Sequence, residues 1–487
     1  MNRRMVLYML GRIVQLEALL MVPALICSVI YREYNVLFSF GITVLICLVT
    51  GFLMTLFSKA RNQTIYAREG FVIVALAWII MSVLGALPFV ISGEIPDFAD
   101  AFFETVSGFT TTGSSILTNV EAMSKGLLFW RSFTHWVGGV GVLVLVMAIL
   151  PSESGRAIHI MRAEMPGPVV GKILPKVRST AKILYLIYIV ISVAEVVFLL
   201  AGGINLFESL VYTFGTAGTG GFGLKSDSMG SYSPYIQWVI TIFMIIFGVN
   251  FNIYYFFLVK KFKAVLKSEE LWIYVSVILV STALITVNIF NNISEMSSVS
   301  ESIRHAAFQV AAIITTTGYS TVDFNLWPGL SKTIILLLLF IGGCAGSTAG
   351  GFKLTRVIML FKSAKANLKH ALHPRSVESV RFEGRPLEKT TVSGVQSYLT
   401  VYLFCLGIIL LIISFNGFDF ETTFTAVATC FNNVGPGFAK VGPAGSFAEF
   451  SAFSKYTLSA AMLLGRLEIY PMLLLFSANV WSKVKVK

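Results

Sequence analysis

Charged residues are scarce in this sequence. Only 13% of the 487 residues are Asp, Glu, Lys or Arg, whereas 56% are hydrophobic, and the mean hydropathy is +0.79. A water-soluble protein of this size needs a far more polar surface. The composition therefore excludes a soluble globular fold and predicts a polytopic protein embedded in the lipid bilayer.

Cysteine pairs and catalytic motifs are also missing. The five cysteines lie singly in apolar segments with no CxxC pair, which argues against a disulfide framework or a zinc site. The five histidines show no metal-ligand spacing, and there is no HExxH motif or nucleophile elbow. We therefore expect no enzymatic activity, an intramembrane enzyme included, and no organic cofactor in this chain.

Ten apolar segments are long enough to cross a bilayer, whose hydrocarbon core takes about 20 helical residues. They cover approximately residues 5–31, 38–58, 70–92, 127–150, 181–202, 234–259, 270–290, 331–360, 395–415 and 456–481. The first segment follows Arg3 and Arg4 but has no small-residue cleavage site, so it indicates a retained helix and not a signal peptide.

Basic residues concentrate in one set of loops between these segments. That set holds 27 of the 37 Lys and Arg residues, and the positive-inside rule assigns it, with both termini, to the cytoplasm. The opposite loops are rich in Asp and Glu and would concentrate cations outside. Nucleic-acid binding is a poor explanation of the positive charge, because the basic residues are spread over six segments without an aromatic reading surface.

Four short polar runs ending in glycine interrupt the apolar sequence. They are TTTGSS (Thr110–Ser115), GTGGFG (Gly218–Gly223), TTTGYS (Thr315–Ser320) and NNVGPG (Asn432–Gly437). Each follows about four turns of helix-compatible sequence and precedes a long apolar segment. One unit repeated four times can surround a single axis, where backbone carbonyls could replace the water around a permeating cation. A kinked re-entrant turn would explain one such run, but four in register favour a pore.

The repeat predicts an all-α integral membrane fold. Four pseudo-symmetric units of helix, pore helix, filter loop and helix would surround one pore, with two extra N-terminal transmembrane helices. The predicted parts are residues 1–69 for the extra helices, 70–180 for unit 1 with a cytosolic loop, 181–269 for unit 2, 270–394 for unit 3 with a gating loop and a cytosolic loop, and 395–487 for unit 4. The predicted ion-binding filter residues are Thr111, Thr112, Gly113, Thr219, Gly220, Gly221, Thr316, Thr317, Gly318, Asn433, Val434 and Gly435.

A run of ten small or polar residues, from Gly342 to Gly351, lies inside the eighth apolar segment. Glycine costs about 1 kcal/mol relative to alanine in a helix interior, so the helix must break there. A flexible loop at this point could plug or clear the pathway; a tight helix-crossing site built from small residues is the alternative. The predicted gating residues in the run are Gly342, Gly343, Gly346, Ser347, Thr348, Gly350 and Gly351.

Arg466 lies deep in the last apolar segment, where an ionisable residue is by default a functional candidate. A fixed positive charge near a cation pathway would repel ions and could sharpen a gate. The alternative is a structural bridge to a neighbouring carboxylate or carbonyl. Glu468 lies two residues further on and faces another side of a helix, so we expect that the two do not simply pair.

Motifs along nearly the whole chain resemble the TrkH, KtrB and HKT superfamily of potassium-transport proteins. They are FFETVSGFTTTG, GTAGTGGFG, AEMPGPV, FIGGCAGSTAGG, HPR, CFNNVGPGF and LLGRLEIY, in the order of that family. The two extra N-terminal spans favour the Trk type over the shorter KtrB subunits. The resemblance implies a bacterial inner-membrane protein that holds potassium at the four filter glycines. It also implies that the Gly342–Gly351 loop and Arg466 obstruct the pore below the filter.

The resemblance further implies a homodimer that binds a cytosolic, TrkA-like nucleotide-binding ring. In the related plant transporters a serine at the first filter glycine accompanies sodium transport, so Gly113 favours potassium. The second filter run departs from the TTTG pattern, because Gly218 and Gly220 stand where threonines are expected. A proton- or sodium-coupled secondary transporter with a midplane solute site is the alternative, although four filter loops that enter from one side argue against it.

Overall fold

The structure is a computed structural model that describes residues 1–58, 67–139, 141, 177–293, 298–375 and 379–481. Most residues in these ranges are helical, and the longer loops among them follow the pore helices. The only strands in these ranges form one short hairpin, which connects two helices on the predicted cytoplasmic side. The all-α class predicted from the sequence is confirmed.

The N-terminal part lies outside the repeat. Helix α1 (Arg3–Leu20) continues through Met21 into α2 (Val22–Ile30), and together they form one apolar span; α3 (Tyr34–Phe57) forms the next. Both α1 and α3 pack against the first helix of the repeat. These are the two extra transmembrane helices expected from the sequence.

Four units follow, each with an incoming helix, a pore helix and an outgoing helix. Unit 1 has α4 (Ala67–Ser92), α5 (Phe98–Phe109) and α6 (Lys125–Gly139). Unit 2 has α7 (Val177–Ala201), α8 (Leu206–Gly218), α9 (Pro234–Phe247), α10 (Phe251–Leu258) and the short α11 (Phe262–Leu266). Unit 3 has α12 (Glu269–Asn292), α13 (Val299–Ile314), α14 (Gly329–Ile341) and α15 (Leu354–Leu372), followed by the hairpin of β1 (Arg381–Phe382) and β2 (Arg385–Pro386). Unit 4 has α16 (Lys389–Ser414), α17 (Phe420–Asn432), α18 (Ala452–Arg466), α19 (Tyr470–Leu475) and α20 (Ala478–Trp481).

Several predicted spans are interrupted helices. Segment 234–259 bends by 88° between α9 and α10, which corrects its prediction as one continuous helix. Segment 456–481 is divided in the same way between α18, α19 and α20, which corrects a second prediction. The predicted break in segment 331–360 is confirmed, because α14 ends at Ile341 and α15 begins at Leu354. Segment 127–150 is described only through Gly139 and at Gly141.

The pore helices α5, α8, α13 and α17 begin alike. A polar N-cap side chain accepts a hydrogen bond from a backbone N–H of the first turn in each of them, at Asp97, Asn205, Ser298 and Asp419. Hydrogen bonds from the side chain and backbone of Thr422 also lower the pKa of the Asp419 carboxyl. Such caps satisfy the free N–H groups of a helix start and favour negative charge there. The same chemistry therefore starts all four pore helices.

The units are arranged in a closed circle. Each pore helix packs against the outgoing helix of the preceding unit: α8 against α6, α13 against α9, α17 against α14, and α5 against α18. The last pair joins unit 4 to unit 1. Because the same contact recurs four times and closes, the four units surround one central axis.

Candidate functional site

The four filter loops share one backbone conformation. In each loop the residue two positions before the aligned glycine is left-handed although it is not glycine, with φ of 54° at Thr111, 56° at Thr219, 57° at Thr316 and 55° at Asn433. The aligned glycines also have positive φ: 82° at Gly113, 79° at Gly221, 79° at Gly318 and 99° at Gly435. The repeat predicted from the sequence is thus a repeat of backbone geometry.

A common hydrogen-bond pattern ends the pore helices. In each loop the residue just before the aligned glycine donates its N–H to the carbonyl five residues back. The pairs are Thr112 to Ser107 (2.9 Å), Gly220 to Gly215 (2.8 Å), Thr317 to Ala312 (2.8 Å) and Val434 to Thr429 (3.0 Å). This ending normally has glycine at the left-handed position. Threonine or asparagine there costs roughly 1–2 kcal/mol, so the surrounding structure must hold the loop in place.

The aligned glycines and the carbonyls of the neighbouring loops form a closed ring. A Cβ atom at Gly113 would overlap the Gly220 carbonyl oxygen, and one at Gly221 would overlap that of Thr317. Likewise, a Cβ at Gly318 would overlap the Val434 carbonyl oxygen, and one at Gly435 would lie 2.8 Å from that of Thr112. We call these four glycines and four carbonyls the filter ring. The absence of side chains at the glycines is what lets four carbonyls of successive units come together.

A cavity of about 180 Å³ lies directly beside the filter ring. All four aligned glycines line it, together with the polar loops that follow them, including Ser114, Ser320 and Pro436. It forms a vestibule on the side that the charge pattern predicts to be extracellular. An ion there would meet the glycines of all four units at once.

A buried ion pair braces the vestibule wall between units 1 and 2. The Nε of Arg131 lies 2.6 Å from Oε1 of Glu104, and the two side chains are 3% and 1% exposed. Glu104 also accepts hydrogen bonds from the Ser115 hydroxyl and the Ile116 N–H, both at 2.9 Å. Arg131 donates to the Gly223 carbonyl at 3.3 Å. No sequence signal identified this pair, because Glu104 and Arg131 lie 27 residues apart among the charges predicted on the outer side.

His135 accounts for the divergent second filter run. A Cβ at Gly220 would overlap the imidazole ring of His135, and one at Gly218 would overlap its carbonyl oxygen. The Nδ1 of His135 lies 2.8 Å from the Gly108 carbonyl oxygen, which fixes the ring beside the first pore helix. Threonines at these two positions would therefore not fit. No sequence signal identified this isolated histidine.

The inner ends of the filter loops are linked by side chains. Asn433 donates to the Thr112 hydroxyl at 2.9 Å and to the Met462 carbonyl at 3.0 Å. The Thr316 hydroxyl accepts from the Gly350 N–H at 2.6 Å, and the Asn432 carbonyl accepts from the Gly351 N–H at 2.8 Å. The glycine-rich run of unit 3 therefore contacts the filter loops of units 3 and 4.

This run, residues 342–353 between α14 and α15, is called the intramembrane loop below. Two backbone hydrogen bonds attach it to the outgoing helix of unit 2 at the break between α9 and α10. The Cys344 N–H donates to the Gly248 carbonyl at 3.1 Å, and the Phe251 N–H donates to the Gly346 carbonyl at 3.0 Å. The predicted gating residues lie in this loop. Those with positive φ are Gly342, Gly346 and Gly351, while Gly343, Ser347, Thr348 and Gly350 lie between them.

Arg466, the last residue of α18, bridges three carbonyls. It donates to Thr348 of the intramembrane loop at 2.8 Å, and to Gly138 and Gly139 at the end of α6 at 2.6 Å and 2.7 Å. Its charge therefore lies between the loop and the unit 1 outgoing helix. The bridge to neighbouring carbonyls, which was the alternative role for Arg466, is present, and it brings the positive charge next to the loop.

Glu468 forms an ion pair with a different arginine. Its partner is the buried Arg356 in the first turn of α15, and Arg356 also donates to the Phe352 carbonyl at 3.0 Å. The expectation that Arg466 and Glu468 face different partners is confirmed. The pair anchors the C-terminal end of the intramembrane loop.

Comparisons with known proteins agree with this architecture. Residues 37–483 match the family model TrkH, described as a cation transport protein. The chain is 34% identical to the Trk system potassium uptake protein TrkH of Salmonella typhimurium over 99% of its own length and all of that protein. It is 33% identical to TrkG of Escherichia coli over 98% of both chains. The crystal structure of the potassium transporter TrkH from Vibrio parahaemolyticus superposes with a TM-score of 0.88, at 29% identity, over 99% of this chain and all of the other.

Proposed function

Since this chain belongs to the TrkH family of cation transport proteins, we propose that it carries potassium ions into the bacterial cell across the inner membrane. The filter ring is the observation that best supports the proposal. Four backbone carbonyls from four equivalent loops meet where glycines leave room for them. Carbonyl oxygens can replace the hydration shell of a monovalent cation, and the C-terminal ends of the four pore helices add partial negative charge close by.

Ion selection is assigned to the predicted filter residues. The carbonyls of Thr112, Gly220, Thr317 and Val434 would coordinate a dehydrated ion, and the left-handed residues before them would hold the spacing. The shared conformation of the four loops supports this assignment. A serine in place of Gly113 would crowd the Gly220 carbonyl, so glycine there preserves the carbonyl geometry on which selection of potassium would depend.

Gating is assigned to the intramembrane loop and Arg466. The loop's hydrogen bonds to Thr316 and Asn432 support a position across the pathway just inside the filter ring. Arg466 adds a positive charge that would oppose a passing cation. We further propose that the protein is a homodimer and that a cytosolic nucleotide-binding ring opens it by acting on the cytoplasmic loops.

Uptake of radioactive rubidium into liposomes that contain the purified protein tests the proposal. Excess potassium should block the flux, and excess sodium should block it little. Gly113→Ser should weaken this preference, whereas Gly407→Ser is the matched control, because a Cβ at Gly407 would meet nothing within 4 Å beyond the local backbone of its own helix.

Two outcomes would count against the proposal. Flux that sodium and potassium compete equally in the wild type would reject potassium selection. Flux that occurs only under an imposed proton or sodium gradient would favour a coupled transporter.

A further inference from the structure

Glu270 is a buried carboxylate that contacts the intramembrane loop. It lies in the first turn of α12 and is only 4% exposed. Its Oε1 accepts a hydrogen bond from the Ala345 N–H of the loop at 2.7 Å and another from the Thr355 hydroxyl. Its Oε2 accepts from the Asn250 side chain at 3.4 Å. One carboxylate thus joins the loop, the start of α15 and the break between α9 and α10.

This contact differs in kind from the other attachments of the loop's N-terminal half. The neighbouring bonds, from Cys344 to Gly248 and from Leu354 to Gly343, join neutral backbone groups. By contrast, three donors from three different elements converge on the one carboxyl group of Glu270, and burial keeps water from replacing them. Glu270 is therefore the side chain best placed to hold this half of the loop.

A second carboxylate connects Glu270 to the predicted cytoplasmic surface. Glu383 lies in the turn between β1 and β2, where it and Gly384 both have positive φ, as a tight two-residue hairpin turn requires. Its Oε1 accepts from the Ser268 hydroxyl at 3.0 Å and from the Glu270 N–H at 3.3 Å. The hairpin tip thus caps the helix turn that carries Glu270.

The base of the hairpin is attached nearby. Lys362 of α15 donates to the Arg381 carbonyl at 2.9 Å and pairs with Glu269. The ring of Phe382 is buried, at 5% exposure, while the turn itself is exposed. The hairpin is therefore held at its tip and at its base, and both attachments lead to the first turn of α12.

We propose that Glu270 is a positioning residue that holds the intramembrane loop across the ion pathway. We propose with it that the β1–β2 hairpin, through Glu383, transmits movement of the cytoplasmic surface to Glu270. The inference rests on the proposed function, because it needs the loop to obstruct cation flow. Displacement of the hairpin draws the first turn of α12 away and removes the acceptor of the Ala345 N–H. The N-terminal half of the loop then keeps only its backbone hydrogen bonds and clears the pathway.

The test is basal rubidium uptake into liposomes by the full chain alone. Glu270→Ala is expected to raise the initial rate several-fold, because the Ala345 N–H of the loop loses its side-chain acceptor. Glu270→Gln keeps one carbonyl oxygen for Ala345 and is expected to stay near the wild-type rate. Glu388→Ala is the matched control, since Glu388 is an exposed carboxylate on the same side of the protein whose side chain accepts a hydrogen bond from the Thr390 hydroxyl and takes no part in the two attachments of the hairpin. Its rate should not change.

Selectivity separates this role from a merely structural one. The filter ring is untouched in Glu270→Ala, so the faster flux should keep the wild-type preference for potassium over sodium. General loosening of the fold would instead lower the flux or abolish the preference. Glu383→Ala, a substitution at an exposed position, should raise the rate less than Glu270→Ala and provides a second variant if Glu270→Ala does not accumulate.

The outcomes are distinguishable. Wild-type flux that potassium blocks, with unchanged rates in both Glu270→Ala and Glu383→Ala, overturns this inference and leaves the proposed function intact. A rate that falls in both variants also overturns it. Absence of potassium-blocked flux in the wild type and in every variant means that the proposed function itself fails.

Discussion

Single residues set the geometry of the pathway by departing from what their type normally does. Thr111, Thr219, Thr316 and Asn433 adopt left-handed backbone that glycine would adopt at less cost. The sequence pattern located the four loops through their glycines, because glycine is the usual marker of positive φ. It could not reveal the left-handed threonines. Those conformations are imposed by the hydrogen bonds that end each pore helix, and such bonds depend on the folded structure.

The second filter run shows how a tertiary contact overrides a sequence pattern. Gly218 and Gly220 break the TTTG pattern, and the reason is the position of His135 on the preceding outgoing helix. An isolated histidine in an apolar segment carries no spacing signal. The two glycines leave the space that His135 occupies, so the glycines and the histidine fit together only in the folded protein. A single sequence does not reveal this relation.

This compensation predicts a rescue. Gly220 does not have a left-handed φ, so Gly220→Ala is compatible with the backbone but places its methyl group in the His135 ring. Overpacking of this kind costs about 1–3 kcal/mol, and we expect most rubidium flux to be lost. His135→Ala in the same chain should restore much of it, because it removes the overlapping ring.

Gly218→Ala provides the control for this rescue. Its methyl group would meet the backbone carbonyl of His135, which truncation of the side chain leaves in place. The flux of Gly218→Ala should therefore not recover with His135→Ala. Equal recovery of both glycine variants, or of neither, would contradict the steric explanation.

At the scale of elements, the outgoing helices of units 2, 3 and 4 are interrupted, and residues at these breaks contact one another. In unit 2 the break follows Gly248, in unit 3 it covers residues 342–353, and in unit 4 it covers residues 467–469; α6 of unit 1 is described only to Gly139. Where a helix is interrupted inside the membrane, backbone N–H and C=O groups lose their partners within the helix and need others. Residues at the breaks of units 2 and 3 provide such partners for each other. Gly248 and Gly346, for example, accept from the opposite break.

Only one of these breaks could be predicted from the sequence. Ten consecutive small or polar residues cannot sustain a helix, so the unit 3 break was predictable from local propensity. Gly248 is followed only by Asn250 and Asn252 in an otherwise apolar segment, which is too short a polar stretch to predict a break. The unit 4 break has no glycine at its left-handed positions, Glu468 and Ile469. These two breaks depend on contacts with the intramembrane loop and on the Arg356–Glu468 pair, which only the folded structure contains.

Arg466 joins two of the interrupted elements, and substitution there should open the pathway. Arg466→Ala removes the charge and three hydrogen bonds, so we expect basal rubidium flux to rise several-fold. Arg466→Lys keeps the charge but cannot reproduce the fork of donors. Arg466→Gln keeps two donors without the charge. Comparing their initial rates of uptake separates repulsion from bridging.

The two explanations give opposite orders. If repulsion of the cation dominates, Arg466→Lys should remain slow and Arg466→Gln should be fast. If the bridge between carbonyls dominates, Arg466→Gln should keep the pathway closed better than Arg466→Lys, and its flux should be the slower of the two. Rates equal to the wild type in all three variants would remove Arg466 from the gate.

At the scale of the whole molecule, the repeat in the sequence corresponds to a closed circle of contacts. Each pore helix packs on the preceding outgoing helix, and each filter glycine packs on a carbonyl of the next loop. Four registered glycine runs were sufficient to predict this circle, because equivalent units can bury equivalent faces only around an axis. Two features needed the structure: the packing of α1 and α3 against α4, and the hairpin at the predicted cytoplasmic surface.

Orientation in the membrane is the prediction that unites charge, fold and direction of transport. Two exposed alanines form a matched pair: Ala444 in a loop beside the vestibule, and Ala371 near the end of α15. The positive-inside rule assigns Ala444 to the outside and Ala371 to the cytoplasm. In intact cells whose outer membrane has been made permeable, a membrane-impermeant maleimide should therefore label Ala444→Cys, whereas Ala371→Cys should react only after the inner membrane is opened.

The native cysteines should not react with the maleimide, because Cys27, Cys47, Cys344 and Cys430 are buried and Cys405 lies on the apolar α16. Labelling of Ala371→Cys first would invert the topology, and the filter ring would then face the cytoplasm, which would rule out the direction of transport proposed for this pathway.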